Sequence, residues 1–259
     1  MKRKKKSILI HLENKPMKGI ILAGASGTSL YPLTLGVPKQ LLPIYDKPMV
    51  YYPLQTLVQS GVDETLIITT KEDQHLFQRA LGNGESFGVH LSYACQEKPE
   101  GIAQAIMIGQ NFIGNDAVCL ITGDTIIVGE SLQRDLAKAY KAAEKSCNAT
   151  IFVNRDYDPK QYGIVVLGRK GDTPEIAGMS DKMNYYSITG LYVFPNSVLK
   201  HIFEIEKSER QRYEITSVSQ IFNQQNKLRI QKLSSDCIWF DTNTFDGIMN
   251  SSLHIQKLC

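Results

Sequence analysis

Lys18-Gly-Ile-Ile-Leu-Ala-Gly-Ala-Ser-Gly-Thr-Ser-Leu-Tyr-Pro-Leu-Thr34, followed by Pro38-Lys-Gln-Leu-Leu-Pro43 and Tyr45-Asp-Lys-Pro48, decides how this chain is read. The apolar run Gly19–Ala23 suits a buried parallel strand. It runs directly into Gly24-Ala25-Ser26-Gly27-Thr28. Small residues there leave successive backbone N–H groups uncovered, and such a nest binds phosphate oxygens. No Gly-Lys-Ser/Thr closes the loop, so it is not a P-loop, and it lacks the spacing of a dinucleotide fingerprint. A plain tight turn is the competing reading. Lys39 favours phosphate, because it returns a cation within about a dozen residues of the nest. Its alternative is an ordinary solvated loop lysine.

Outward from this stretch, short apolar strands alternate with amphipathic helices. Strands are predicted at Ile20–Ala23, Thr65–Thr70, Leu91–Cys95, Ala117–Thr122 and Ala149–Val153. Helices are predicted at Met49–Ser60, Glu72–Leu81, Ile102–Phe112 and Leu132–Lys145. This alternation implies right-handed βαβ units: an α/β fold, Rossmann-like, with a mostly parallel twisted sheet and helices on both faces. From Tyr162 the texture changes. Strands at Gly163–Leu167, Ser187–Phe194 and Arg229–Leu233 are joined by long connections, which would complete the sheet and wall a cleft. Ligands of open α/β sheets sit at the carboxyl ends of the strands.

Composition narrows the function classes. A net charge of +3 over 259 residues gives no case for nucleic acid or membrane partners. Five scattered cysteines without Cys-x-x-Cys read as reduced thiols in a cytoplasmic protein. No apolar run approaches the ~18 residues of a membrane span. The basic start Lys2–Lys6 and the short run Ser7–Ile10 lack a cleavage site, so residues 1–16 read as a disordered N-terminal extension. The five histidines have no metal-ligand spacing, and no Gly-x-Ser-x-Gly elbow supports a serine hydrolase.

Carboxylates and amides fall where a ligand is expected. Asp124 follows the strand at Ala117–Thr122, and Asp241 follows Trp239-Phe240 after Arg229–Leu233. Each could hold a hard cation over a phosphate or act as a cap or turn residue. Gln96 follows the third strand, and Gly101 precedes a helix, where a ligand can approach backbone N–H.

In order and content these segments resemble the sugar-phosphate nucleotidylyltransferases, most closely those that use dTTP. That family opens Gly-Gly-x-Gly-Thr-Arg-Leu-x-Pro-Leu-Thr, followed by Lys-Gln-Leu-Leu-Pro and Lys-Pro-Met. The likeness runs from about Met17 to Met249. It implies transfer of a nucleotidyl group from dTTP to a sugar 1-phosphate, most closely glucose 1-phosphate, as in dTDP-rhamnose formation. Pyrophosphate would be released. It implies nucleotide contacts from Leu22, Gly24, Ala25, Ser26, Gly27, Thr28, Ser29, Gln96, Gly101 and Asp124, with Mg²⁺ shared by Asp124 and Asp241. Lys39 would clamp phosphate. Gly163, Asp181, Lys182 and Thr189 would face the sugar phosphate, Lys182 also acting in catalysis, with Glu175 as an alternative acid. The nucleotide half would span about 17–155 and the sugar half about 156–250 of one domain, 17–259. Family members often continue into helices for subunit contacts and a feedback site, so a homo-oligomer and a shortened C-terminus enter as expectations.

The departures matter as much. Ala25 stands for Gly, Thr125 for Asn, Asn243 for Gly and Ser217 for Asp. Ser29 stands where the family has an Arg that neutralises pyrophosphate. A catalytically impaired homologue, binding nucleotide or nucleotide-sugar as a sensor or scaffold, is therefore the rival reading. Arg79 and Arg155 are candidates to replace the missing cation.

Overall fold

Burial on both sides of the first strand sets the layers. In the computed structural model, which describes residues 17–24, 27–155, 164–166, 175–177 and 185–259, β1 is Met17–Leu22. Ile21 joins one apolar cluster and Ile20 the opposite one. Both faces of this strand are thus covered, as a parallel strand requires. The expectations for residues 1–16, Ala25, Ser26, Gly163, Asp181 and Lys182 lie outside the described residues.

The chain then runs through the hairpin β2 (Pro43–Ile44) and β3 (Lys47–Pro48), α1 (Tyr51–Gln59), β4 (Val62–Thr69), α2 (Gln74–Leu81) and β5 (His90–Cys95). Next come α3 (Gln104–Ile108), α4 (Gln110–Ile113), β6 (Val118–Thr122), β7 (Ile126–Val128), α5 (Ser131–Ser146) and β8 (Ala149–Asn154). The second half contributes β9 (Ile164–Val166), β10 (Glu175–Ala177), β11 (Tyr185–Phe194), α6 (Val198–His201), α7 (Ile215–Gln224), β12 (Leu228–Lys232), β13 (Ile238–Phe240) and α8 (Phe245–Gln256). The helix predicted over Ile102–Phe112 is two short helices meeting at Gly109.

β6, β1, β4 and β5 lie side by side and parallel. β11 then pairs antiparallel with β6, β8 and β9, β10 joins β9, and β12 runs parallel to β8. Among the described residues the sheet has nine strands. α1, α2 and α5 bury Leu54, Phe77 and Leu136 on one face. α3, α4, α6 and α7 bury Ile106, Ile113, Val198 and Phe222 on the other. Each such side chain is worth about 1.5–3 kcal/mol in apolar surface removed from water.

Two features shape the site. β7 and β13 form a separate antiparallel ribbon. A third cluster, with Ile44, Met49, Tyr52, Ile126 and Ile255, ties this ribbon to the β2–β3 hairpin and α8. Asp241 therefore leaves the ribbon and not the main sheet, which corrects its expected position after the strand at Arg229–Leu233. The local reason is that Ser234–Cys237 turns the chain back before β13, with Cys237 N–H donating to the Ser234 carbonyl at 2.8 Å.

The second feature is a bulge in β11, where the register against β8 shifts between Ile188 and Tyr192. Gly190 sits there at φ 85°. A Cβ on Gly190 would stand 2.5 Å from Thr125 Oγ1 and 2.6 Å from Thr122 Oγ1. Both strain and collision oppose a side chain. Gly190→Ala is expected to lower unfolding free energy by about 2 kcal/mol, most of it from the left-handed backbone. Urea denaturation measures this, and a change within ~0.5 kcal/mol, the range of an ordinary surface substitution, would contradict it.

Candidate active site

The carboxyl edge of the parallel strands continues as a line of backbone hydrogen bonds. Ala23 N donates to Ile68 O at 2.7 Å, Gly123 N to Leu22 O at 2.8 Å and Gln96 N to Thr69 O at 2.7 Å. These bonds bring the loop after β1, Asp124 after β6 and Gln96 after β5 to one edge.

Lys39 is the centre of that edge. It begins a short helical turn, Lys39–Leu41, between Pro38 and Pro43. Its side chain is only 2% exposed. The Nζ donates to Asp124 Oδ2 at 2.6 Å and to Asn243 Oδ1 at 2.7 Å. Gly27 lies against the Lys39 stem, so the cation does return to the small-residue loop. Thr242 Oγ1 donates to the Asp124 carbonyl at 2.9 Å, and Asn243 N donates to Asp241 Oδ1 at 2.8 Å. One ammonium and two hydrogen bonds thus hold the ends of β6 and β13 together. Asp124 and Asp241 enter the same cluster through these links.

The Asp124 side chain is 22% exposed, so it forms the open side of the Lys39 pair. Burial alone would push its carboxyl up. The Lys39 charge and hydrogen bond, with a further bond from Thr122, outweigh burial and hold it below the ordinary carboxylate range.

On the β5 side, Gln96 is buried and its Nε2 donates to Gln104 Oε1. Gly101 has φ 111°, and a Cβ there would strike the Tyr213 carbonyl. Tyr213 N donates to Glu100 O at 2.6 Å, and Ala103 N donates to Tyr213 O at 3.2 Å. Close approach of this neighbouring chain therefore explains Gly101 by itself. On the β11 side, Thr189 is buried and its hydroxyl donates to Phe152 O at 3.0 Å. Thr125 Oγ1 donates to Thr189 O at 2.9 Å, joining the β6 loop to the bulge. Thr28 and Ser29 lie exposed on the turn after the β1 loop, and Leu22 ends β1. Glu175 opens β10.

Two members of the site are not singled out by the sequence. Asn243 reads there only as a substitution beside Asp241, yet it is a direct partner of Lys39. Gln40 is buried, and its Oε1 has no hydrogen-bond partner among the described residues. Its place next to Lys39 between two prolines is the available signal.

A parallel α/β edge carrying a buried cation, two carboxylates and a small-residue loop defines a protein that handles phosphates of a nucleotide. Comparison with known proteins makes the class specific. The nucleotidyl transferase family model matches residues 18–257, and the chain belongs to that family. It is 44% identical over 243 residues to glucose-1-phosphate thymidylyltransferase of Mycolicibacterium smegmatis, covering 93% of this chain and 83% of that one. The protein of the same name in Neisseria gonorrhoeae is 42% identical over 243 residues, with coverage of 93% and 83%. A solved Bacillus anthracis structure assigned to the same enzyme, with sucrose bound, superposes with a TM-score of 0.82 at 31% identity, over 92% of this chain and 94% of that one. The architecture is the nucleotide-diphospho-sugar transferase fold.

The Lys39–Asp124 pair has a pH signature. Because the Asp124 carboxyl is lowered, its contribution to stability is complete above the unfolded carboxyl value of about 3.9 and is lost as pH falls through the lower folded value. Lys39→Met leaves burial as the leading influence, so the sign should reverse: the carboxyl rises, and stability falls as pH climbs from the unfolded value of about 3.9 to the raised folded one. Carboxyl NMR titration of both proteins checks this. An Asp124 titration unmoved by the substitution would contradict the pairing.

Proposed function

We propose that the chain transfers a thymidylyl group from dTTP to glucose 1-phosphate, giving dTDP-glucose and pyrophosphate. The names of the similar proteins support the reaction. The observation that carries it is the Lys39 cluster, which sits between a buried amide, Gln96, on the β5 side and the β11 bulge on the other. On this reading base, phosphates and sugar lie along the edge in that order. The partners are two small anions, with no nucleic acid or membrane. No helix among the described residues is long and apolar enough to cross a membrane. We place the activity in the cytoplasm, in nucleotide-sugar synthesis.

A phosphate oxygen of the sugar phosphate attacks the α-phosphorus. The bond to the β-phosphate breaks, and pyrophosphate leaves with the electron pair. Nucleophile and electrophile are both anionic, so the protein's task is neutralisation and in-line positioning, without a covalent residue. The Lys39 ammonium exchanges part of its contact with Asp124 and Asn243 for phosphate oxygens. The backbone after β1 offers N–H groups to the same anion. Two carboxylates are a hard oxygen donor set, and among the described residues no group of three or more His, Cys, Asp or Glu side chains forms a fuller cage. That set fits Mg²⁺, which keeps water and takes phosphate oxygens. Asp124 and Asp241 would hold it, and it would supply charge neutralisation at the phosphates.

Pyrophosphate release measured across a matrix of nucleotides and sugar phosphates tests the proposal. The highest rate is expected for dTTP with glucose 1-phosphate, and chelation should abolish it. Asp124→Asn or Asp241→Asn should remove activation by Mg²⁺ and leave the fold intact. Unchanged Mg²⁺ activation in either variant would reject the metal assignment.

Ser29 favours the second reading, a slow or non-catalytic nucleotide-sugar binder, because it is exposed and uncharged where pyrophosphate would leave. Arg79 lies in the last turn of α2, which runs back from the carboxyl edge, so it sits at the far end of the sheet. Arg155 follows β8 and leaves the reacting edge beyond β11. Pyrophosphate gains charge as the bond breaks, so a guanidinium there acts mainly in the transition state. Ser29→Arg is therefore expected to raise kcat tenfold or more, about 1.4 kcal/mol, with KM for the sugar phosphate nearly constant. Steady-state kinetics decides. A wild-type kcat of ~1–10³ s⁻¹ that the substitution does not raise would show that another cation serves.

A further inference from the structure

We propose that Gln104 and Glu100 are positioning residues that fix which end of the Gln96 amide faces the base, and thereby select thymine or uracil over cytosine. The inference rests on the reading above that the base lies against Gln96.

An amide side chain can present either its oxygen or its NH₂, and the neighbours must settle which. Here they do so through two groups of fixed character. The backbone N–H of Glu100, which can only donate, bonds Gln104 Oε1 at 3.0 Å. The Glu100 carboxylate, which accepts, takes Gln104 Nε2 at 3.2 Å through its Oε2. Gln104 therefore has one orientation, with its oxygen toward Gln96. The group that Gln96 turns to that oxygen must be Nε2. Gln96 Oε1 is left pointing the other way, against Gly24 at the end of β1.

The chain of constraints extends further back. Lys207 Nζ donates to Glu100 Oε1 at 2.6 Å and lies 5.2 Å from the centre of the Tyr213 ring. Tyr213 also holds the Glu100 carbonyl through its backbone N–H at 2.6 Å. Glu100 is thus gripped by main chain and side chain, and Gln104 is gripped by Glu100.

The consequence is chemical. Thymine and uracil carry an N–H donor at N3, whereas N3 of cytosine is an acceptor. A fixed Gln96 oxygen pairs with the first and leaves two acceptors facing each other with the second. A buried unpaired polar group of this kind costs roughly tenfold or more in affinity.

Calorimetry of the full chain with dTTP and with dCTP, in the presence of Mg²⁺, tests this in four proteins: wild type, Gln104→Met, Gln104→Ala and Glu100→Ala. Wild type is expected to favour dTTP by at least about tenfold. Gln104→Met frees the amide to rotate and should shrink the ratio at least several-fold, dCTP binding holding or improving as dTTP binding weakens. Gln104→Ala should act in the same direction and decides the matter if the Met variant is unfolded by circular dichroism; Glu100→Ala, at a side chain 28% exposed, keeps the backbone N–H on Gln104 Oε1 and removes only the carboxylate, so it should relax the ratio by less. A purely structural role predicts equal losses for both nucleotides, and an unchanged ratio in the folded variants overturns the inference. Equal binding of dTTP and dCTP by wild type also overturns it while leaving nucleotidyl transfer standing. A wild-type chain that binds no dTTP removes both.

Discussion

A lysine ammonium buried to 2% of its side-chain surface must be paired, and the pairing of Lys39 organises this molecule. The cation and its two partners come from three distant parts of the chain: Lys39 from the turn after the β1 loop, Asp124 from the end of β6 and Asn243 from the end of β13. Burying that charge is tolerable only if Asp124 and Asn243 stand where they do. The β7–β13 ribbon, the Thr242 bond to the Asp124 carbonyl and the packing of α8 follow from this requirement. The same arrangement suits a phosphate site. The cation is held by one partly exposed carboxylate and one neutral amide, so a phosphate would have only part of a single ion pair to replace.

The edge of the sheet then divides by chemistry. The β5 side carries a neutral hydrogen-bonded chain, Gln96 to Gln104 to Glu100. The centre carries charge. The β11 side is built from threonine hydroxyls and a bulge. Neutral amides suit a base edge, charge suits phosphates, and a bulged strand opens room beside them. Among the described residues nine strands form the sheet, with helices on both faces, and the chain belongs to the nucleotidyl transferase family.

Much of this was legible in the residues. β1, β4 and β6 carry short apolar runs, Ile20–Leu22, Leu66–Ile68 and Val118–Ile121, and their alternation with helices is a local pattern. The small-residue loop and Lys39 are close in sequence, so the contact of Gly27 with the Lys39 stem needs no knowledge of the fold. The ribbon was not legible. Ile238–Phe240 pairs with Ile126–Val128, and no local signal joins segments so far apart. α7 and α8 are hidden by polar residues in their buried stripes. Ser219 donates to the Ile215 carbonyl at 2.8 Å and Ser251 to the Gly247 carbonyl at 2.6 Å, which satisfies each hydroxyl inside the helix but breaks the apolar spacing. Asn243 escaped for the same reason as the ribbon: its role depends on a partner two hundred residues earlier.

The central claim is that Lys39 and Asn243 act as one unit. A double-mutant cycle on unfolding free energy, with Lys39→Met, Asn243→Ala and the pair, measures that coupling directly. A coupling energy of about 1 kcal/mol or more is expected, because either single change already removes the bond between the two side chains. Additive effects, agreeing within ~0.3 kcal/mol, would contradict it.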